Sequence, residues 1–192
     1  MSIYLIRHGK TEANERHLYC GSTDLPLSLA GISELAQLKE RYALPKQCLV
    51  VTSGMKRTDE TLSILLGDVP HRTDSDLREM DFGIFEMHSY AELANNPDYR
   101  QWISGDNENN LAPSGESGAM MKQRVWKAFC RLTADNPDVV IITHGGVIAF
   151  LMSKLFPCEE KNRYQWQPRP GHGYLIHENA YEPIPKEIPH VN

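Results

Sequence analysis

Three short apolar runs in this chain each end at a cluster of polar residues, and this arrangement constrains the fold more than any other feature. The runs cover residues 2–6, 48–52 and 139–143, and their aliphatic and β-branched side chains are typical of buried strands. Arg7-His8 follows the first run, residues 53–57 follow the second, and His144-Gly145 follows the third. The pattern therefore predicts strands whose carboxyl ends carry the polar chemistry of the molecule.

Apolar residues between these strands recur at helical spacing. The spacing predicts helices over residues 29–42, 57–66, 118–134 and 147–155, with Ser28 and Ser114 as candidate N-caps. Strands that alternate with helices indicate an α/β domain with a largely parallel sheet. We therefore expect a three-layer α/β/α sandwich with a mostly parallel central sheet.

Two segments depart from this alternation. Residues 87–117 are polar and rich in Asn, Pro and Gly, yet they contain large aromatic side chains that a linker would lack, which predicts a small helical cap insertion. Residues 174–176 read as an edge strand, and residues 180–192 carry three prolines and read as an irregular tail. A chain of 192 residues suits a single domain over residues 1–192.

Composition excludes several classes of protein. A net charge of −5 argues against a nucleic-acid partner, and no apolar run is long enough to span a membrane. The first residues reach Arg7 too soon for a signal peptide, so we expect a cytoplasmic protein. The four cysteines are widely scattered, which predicts buried or partly buried free thiols rather than disulfides or a zinc site. A monomer and a homodimer are both compatible with the sequence.

The carboxyl ends of parallel strands meet at one edge of a sheet, so the polar clusters are expected to converge there. Convergence would bring His8, His144, Arg7 and Arg57 into one cationic pocket. Such a cluster repels itself unless an anion neutralises it, and phosphate suits the paired donors of guanidinium groups. The sequence thus predicts a pocket for a small phosphorylated molecule.

The same residues suggest a reaction. A neutral imidazole can attack phosphorus, provided that its other nitrogen is held by a hydrogen bond that fixes the tautomer. The leaving oxygen then needs a proton, and the segment 77–83 offers two carboxylic acids, Glu79 and Asp81. The chain contains neither the H-E-x-x-H zinc motif nor the G-x-G-x-x-G dinucleotide motif, so no metal and no cofactor is expected.

Six blocks of the chain resemble, in the correct order, the motifs of the histidine phosphatase superfamily, also called phosphoglycerate mutase-like proteins. The first is Leu5-Ile6-Arg7-His8-Gly9-Lys10-Thr11, with Asn14 shortly after it. The others cover residues 23–31, 53–61, 79–86, 113–117 and 143–146. The resemblance extends over roughly residues 3–177 and implies a phosphoglycerate mutase-like fold.

The resemblance also implies a role for individual residues. His8 would be the nucleophile that becomes phosphohistidine, and Glu79 would protonate the leaving oxygen and then activate water. The phosphoryl group would be held by a set of substrate-binding residues: Arg7, Asn14, Arg57, His144 and Gly145. Thr23 and Lys10 are further substrate-binding candidates. Lys10 stands where the family usually has Glu or Gln, so it would either bind a second anionic group or remain a solvated cation.

Within the family, residues 18–21 and 79–87 resemble alpha-ribazole phosphatases, which act on a benzimidazole riboside 5′-phosphate in cobalamin assembly. This predicts a metal-independent phosphomonoesterase of that type. The alternatives are a broad phosphatase for sugar or glycolytic phosphates, a phosphoglycerate mutase of the same family, and a non-catalytic phosphate-binding module. Four aromatic residues would either stack on the flat base or belong to the core: Tyr19, Tyr90, Tyr99 and Trp102.

Overall fold

The computed structural model describes residues 1–45, 47–105, 108–136 and 138–186. Within these ranges the strands are β1 (Ser2–Arg7), β2 (Leu49–Thr52), β3 (Arg72–Thr73), β4 (Asp138–Thr143), β5 (Gly173–His177) and β6 (Ala180–Ile184). The helices are α1 (Glu12–Glu15), α2 (Leu29–Lys39), α3 (Lys56–Leu66), α4 (Tyr90–Leu93), α5 (Pro97–Trp102), α6 (Gly118–Thr133), α7 (Gly145–Leu155) and α8 (Arg163–Trp166). No helix in the described ranges is both long and apolar enough to cross a membrane.

The strands form one sheet in the order β3-β2-β4-β1-β5-β6. The pairs β2–β3, β2–β4 and β1–β4 are parallel, whereas β5 runs antiparallel to β1 and β6 antiparallel to β5. β1 and β4 lie side by side in the middle of the sheet, with Arg7 opposite Thr143. The prediction of a mostly parallel central sheet is confirmed.

The two faces of the sheet support separate apolar cores. Leu5 and Ile141 lie on one face, in a cluster that includes α6, α7 and the cap, whereas Ile6 and Ile142 lie on the other, with residues of α2 and α3. Successive side chains of a strand point to opposite faces, so these central strands are apolar at nearly every position. Helical layers on both faces confirm the three-layer sandwich.

The segment of residues 87–117, which the sequence predicts to be a cap insertion, contains the short helices α4 and α5. Tyr99 and Trp102 of α5 are buried in the same cluster as Leu5, so the alternative of core packing holds for these two aromatic residues. Tyr90 is largely exposed, and Tyr19 is partly buried against the cluster.

Three expectations about local structure are wrong. The N-cap of α6 is Ser117, whose Oγ accepts a hydrogen bond from the Met120 amide, whereas Ser114 has a positive φ of 60° and lies in a turn. β5 is an interior strand, because β6 covers its outer edge. Residues 180–184 therefore belong to the sheet and not to an irregular tail, since a proline such as Pro183 is tolerated in an edge strand whose outer side needs no donor. Residues 187–192 lie outside the described ranges.

The four cysteines are free thiols, as predicted. Cys20 and Cys48 are partly buried, but Cys130 and Cys158 are exposed, so the expectation of burial is wrong for the second pair. Cys130 lies on the solvent side of the amphipathic helix α6, and Cys158 lies in a short 3₁₀ turn after α7.

Candidate active site

The two histidines meet because the strands that precede them are neighbours. The His8 amide donates to the Thr143 carbonyl over 2.9 Å, and the centroids of the His8 and His144 rings are 5.1 Å apart. Both side chains are buried. The sheet register therefore brings together two residues that are far apart in sequence.

The orientation of the His8 ring is fixed from one side. Its Nδ1 lies 2.7 Å from the Gly9 carbonyl, and the Gly9 amide is in turn held by the Thr61 hydroxyl at 2.9 Å. A carbonyl can only accept, so the proton of a neutral ring is on Nδ1 and the lone pair is on Nε2. Burial, followed by the positive charges of Arg57 and Arg7, lowers the pKa of His8 well below 6.5, against the weaker effect of the Gly9 hydrogen bond. His8 is thus a neutral imidazole with Nε2 available.

Both ring nitrogens of His144 are hydrogen-bonded to protein groups. Arg57 Nε donates to Nδ1 at 3.3 Å, so the proton of the neutral ring is on Nε2, which lies 2.8 Å from the Ser53 hydroxyl. Burial, the charge of Arg57 and the adjacent His8 lower the pKa of His144 well below 6.5. This geometry holds His144 in one tautomer beside the nucleophile.

Arg57 is only 1% exposed and is held by backbone carbonyls. Its Nη1 donates to the Thr23 carbonyl at 2.8 Å and its Nη2 to the Gly21 carbonyl at 2.7 Å. Burial lowers the pKa of Arg57, and the nearby Cys20 and Glu79 oppose the shift. The guanidinium group is therefore fixed in position beside His144.

Arg7 contacts the segment that follows α8. Its Nη1 donates to the Pro168 carbonyl at 2.8 Å, while its Nε is buried and has no partner among the described residues. Burial lowers the pKa of Arg7, and the charge of Glu79 raises it in partial compensation. An unpaired guanidinium donor in a buried position is suited to an incoming anion.

Glu79 belongs to a loop that contacts the N-terminal end of α7. Its Oε2 accepts a hydrogen bond from the Gly146 amide at 2.8 Å. The loop that carries it is held by Arg124, which donates to the carbonyls of Arg78 and Glu79 and forms an ion pair with Glu116. The other candidate acid, Asp81, accepts from the Ser22 hydroxyl and the Gly83 amide and so stabilises a turn. Of the two carboxylates, Glu79 is therefore the one that is bonded to α7, the helix that begins directly after His144.

The remaining predicted ligands differ in what they offer to a substrate. Asn14 uses its carbonyl oxygen to cap α1 through Thr11, which leaves its amide nitrogen as the group able to donate. The Thr23 hydroxyl donates to Glu86 at 2.7 Å, so Thr23 acts on the site through its carbonyl to Arg57. Lys10 forms an ion pair with Glu34 on α2, where both side chains are partly exposed.

Three residues that support the site were not predicted from the sequence. They are Ser53, which accepts a hydrogen bond from His144; Glu86, which accepts hydrogen bonds from the backbone amides of residues 21–23; and Arg124, which donates to the backbone of the loop that carries Glu79. Ser53 follows strand β2 directly, so its position at a strand end was an available signal. Glu86 lies in the block 79–86 that resembles a family motif, but no role was predicted for it. Arg124 acts over a long sequence separation, which no local pattern reveals.

Comparisons with known proteins agree with this geometry. The model of the histidine phosphatase superfamily (branch 1) matches residues 3–183. An adenosylcobalamin/alpha-ribazole phosphatase from Salmonella typhimurium is 29% identical over 177 residues, covering 89% of this chain and 87% of the relative.

Two solved structures are similar along nearly the whole chain. The alpha-ribazole phosphatase from Shigella flexneri has a TM-score of 0.82 and 28% identity, with 94% of this chain and 93% of that one covered. A phosphoglycerate mutase from Thermus thermophilus has a TM-score of 0.72 and 27% identity, with 92% of each chain covered. The chain therefore belongs to the histidine phosphatase superfamily, and its activity is that of a phosphatase.

Proposed function

We propose that this chain hydrolyses alpha-ribazole 5′-phosphate through a phosphohistidine intermediate on His8. The observation that carries the chemistry is the hydrogen bond from His8 Nδ1 to the Gly9 carbonyl, which directs a neutral Nε2 into the space beside Arg7 and Arg57. An imidazole that is neutral and oriented before substrate binds needs no separate base to activate it.

In the first step, Nε2 of His8 attacks phosphorus and the bond from phosphorus to the ester oxygen breaks. Glu79 acts as the general acid, gives a proton to the departing oxygen and is left as a carboxylate. Arg7 and Arg57 balance the charge on the phosphoryl oxygens. His144 contributes as a phosphoryl ligand once its Nε2–H exchanges the Ser53 hydroxyl for a phosphoryl oxygen.

In the second step, water attacks the phosphohistidine and the phosphorus–nitrogen bond breaks, which returns the electron pair to Nε2. The Glu79 carboxylate accepts a proton from this water and is restored to its acid form. Inorganic phosphate leaves, and every group regains its initial state. The chain's own residues supply the nucleophile, the acid and the charge, so the proposal requires no metal.

The choice of substrate rests on the relatives. The Salmonella relative and the Shigella structure both carry the name alpha-ribazole phosphatase, and the match covers about nine tenths of this chain. The similarity to a phosphoglycerate mutase supports the alternative only secondarily, since the TM-score is lower. Cobalamin assembly is accordingly the proposed setting.

The test is a panel of phosphomonoesters assayed with EDTA present. It contains alpha-ribazole 5′-phosphate, 2- and 3-phosphoglycerate, and several sugar phosphates, and it measures kcat/KM and phosphoglycerate interconversion. We expect the highest kcat/KM for alpha-ribazole 5′-phosphate. A higher value for a sugar phosphate, or interconversion faster than hydrolysis, would replace the proposal by one of the two enzymatic alternatives.

A further inference from the structure

The segment that follows α8 forms a wall of the active site. The Pro168 carbonyl accepts from Arg7, and the Gly171 amide donates to the carbonyls of both Arg7 and His8 at 3.1 Å. Gly171 is itself held through its carbonyl by the Tyr42 hydroxyl at 2.6 Å. Hydrogen bonds therefore fix the backbone of this segment directly against Arg7 and the nucleophile His8.

Gln167 projects from this wall toward the first turn of α7. A Cβ atom built on Gly145 would lie 2.5 Å from Gln167 Nε2 and 3.0 Å from Arg7 Cζ. The carboxamide and the guanidinium group thus approach the same point beside Gly145. The side chain of Gln167 is partly buried, and its carboxamide has no hydrogen-bond partner among the described residues.

The donors at this point are only partly satisfied by the protein, since Glu79 accepts from the Gly146 amide and the Pro168 carbonyl accepts from one Nη of Arg7. Arg7 contributes a guanidinium whose buried Nε has no partner in the described ranges, and the first turn of α7 adds the positive end of a helix dipole. A buried donor such as Arg7 Nε loses free energy on folding unless an acceptor joins it. A tetrahedral anion is the acceptor that satisfies several converging donors at once.

We propose that Gln167 is a substrate-contacting residue whose Nε2–H donates to a phosphoryl oxygen beside the one held by Arg7. The side-chain amide adds a hydrogen-bond donor without adding charge. It therefore complements the guanidinium group and leaves the net charge of the pocket unchanged. The proposal rests on the phosphatase chemistry at His8 and is independent of which phosphomonoester is the natural substrate.

The test compares Gln167→Ala and Gln167→Glu with the control Gln123→Ala, which removes an exposed glutamine on α6. Hydrolysis of p-nitrophenyl phosphate and inhibition by inorganic phosphate are measured, together with urea unfolding without phosphate. For Gln167→Ala we expect about a tenfold fall in kcat/KM and a similar rise in the phosphate Ki, since one hydrogen bond to a charged group is lost. Gln167→Glu should lose more, because a carboxylate would face the anion, and the control should match the parent protein.

Unfolding midpoints equal to that of the parent would show that the losses come from the contact and not from the fold. Values of kcat/KM and Ki within twofold of the parent for Gln167→Ala, or a Gln167→Glu variant that binds phosphate as well as the alanine variant, would overturn the proposal. If alpha-ribazole 5′-phosphate is not a substrate, the test of Gln167 can still be interpreted, since hydrolysis of p-nitrophenyl phosphate depends on the phosphoryl contact alone.

Discussion

Glu86 is the acceptor that holds residues 21–23, whose carbonyls bind Arg57, and Glu86→Gln tests how much the site depends on it. The carboxylate accepts from five donors between 2.7 and 3.2 Å: the amides of Gly21, Ser22, Thr23 and Phe82 and the Thr23 hydroxyl. The glutamine variant keeps the shape but replaces one acceptor oxygen by a donor. The amide of Thr23 then faces another donor, and the remaining bonds lose their charge.

The expected cost follows from these contacts. A hydrogen bond to a charged group contributes about 1.5–3 kcal/mol and one between neutral groups about 0.5–1.5 kcal/mol. One lost bond and several weakened ones, in a loop that water can partly reach, lower the free energy of unfolding by about 2–3 kcal/mol. The carbonyls of Gly21 and Thr23 hold Arg57, so kcat/KM should also fall by about tenfold or more as that guanidinium loosens.

Urea unfolding and p-nitrophenyl phosphate kinetics measure the two effects. Glu34→Gln is the matched control, since it makes the same chemical change in the exposed ion pair with Lys10, where the lysine and glutamate side chains are 31% and 49% exposed. It should cost about 0.5 kcal/mol or less. The reasoning is refuted if Glu86→Gln is no more costly than this control, or if it destabilises the fold and leaves kcat/KM unchanged.

The other predictions concern the reacting groups themselves. His8→Ala should abolish turnover and leave the unfolding midpoint close to that of the parent; substantial residual hydrolysis would remove His8 from its role. Glu79→Gln should slow alkyl phosphates more than p-nitrophenyl phosphate, whose leaving group needs no proton, and equal losses on both would contradict the acid role. Arg57→Ala should cost about 2–4 kcal/mol of transition-state stabilisation, and a rate change under tenfold would argue against direct contact with phosphate. NMR titration of the free enzyme should give midpoints well below 6.5 for His8 and His144. As the pH falls below 6.5, the histidines of the unfolded chain bind protons before those of the folded chain. The contribution of the two groups to the free energy of unfolding should therefore be fully present above pH 6.5 and decline below it. Midpoints at or above 6.5 would contradict this.

The central chemistry was predictable because it follows from strand order. His8 and His144 each come directly after an apolar run, and the ends of parallel strands share one edge of a sheet, so their convergence at that edge could be predicted. That β1 and β4 are direct neighbours is known only from the fold. Arg57 was accessible in the same way, since it lies in the first turn of the helix after β2.

The supporting contacts were not predictable for a physical reason. Arg124 lies in the middle of an amphipathic helix, where an arginine normally faces solvent, and its contacts with the acid loop depend on how two distant segments pack. Gln167 resembles an ordinary loop residue until the fold brings it to Gly145. The prolines near β6 made this segment look irregular, because proline cannot donate a hydrogen bond to a neighbouring strand. The sequence does not show that β6 lies at the edge of the sheet, where only one side of a strand needs donors.

The contacts of Arg7 and His8 with the segment after α8 affect when the enzyme becomes active during its synthesis. The Pro168 carbonyl, which orients Arg7, is made 161 positions after that arginine. A nascent chain that ends between His144 and Pro168 would contain both histidines and both arginines and still lack this carbonyl and the Gly171 amide. Chains truncated in this interval should therefore have no phosphatase activity.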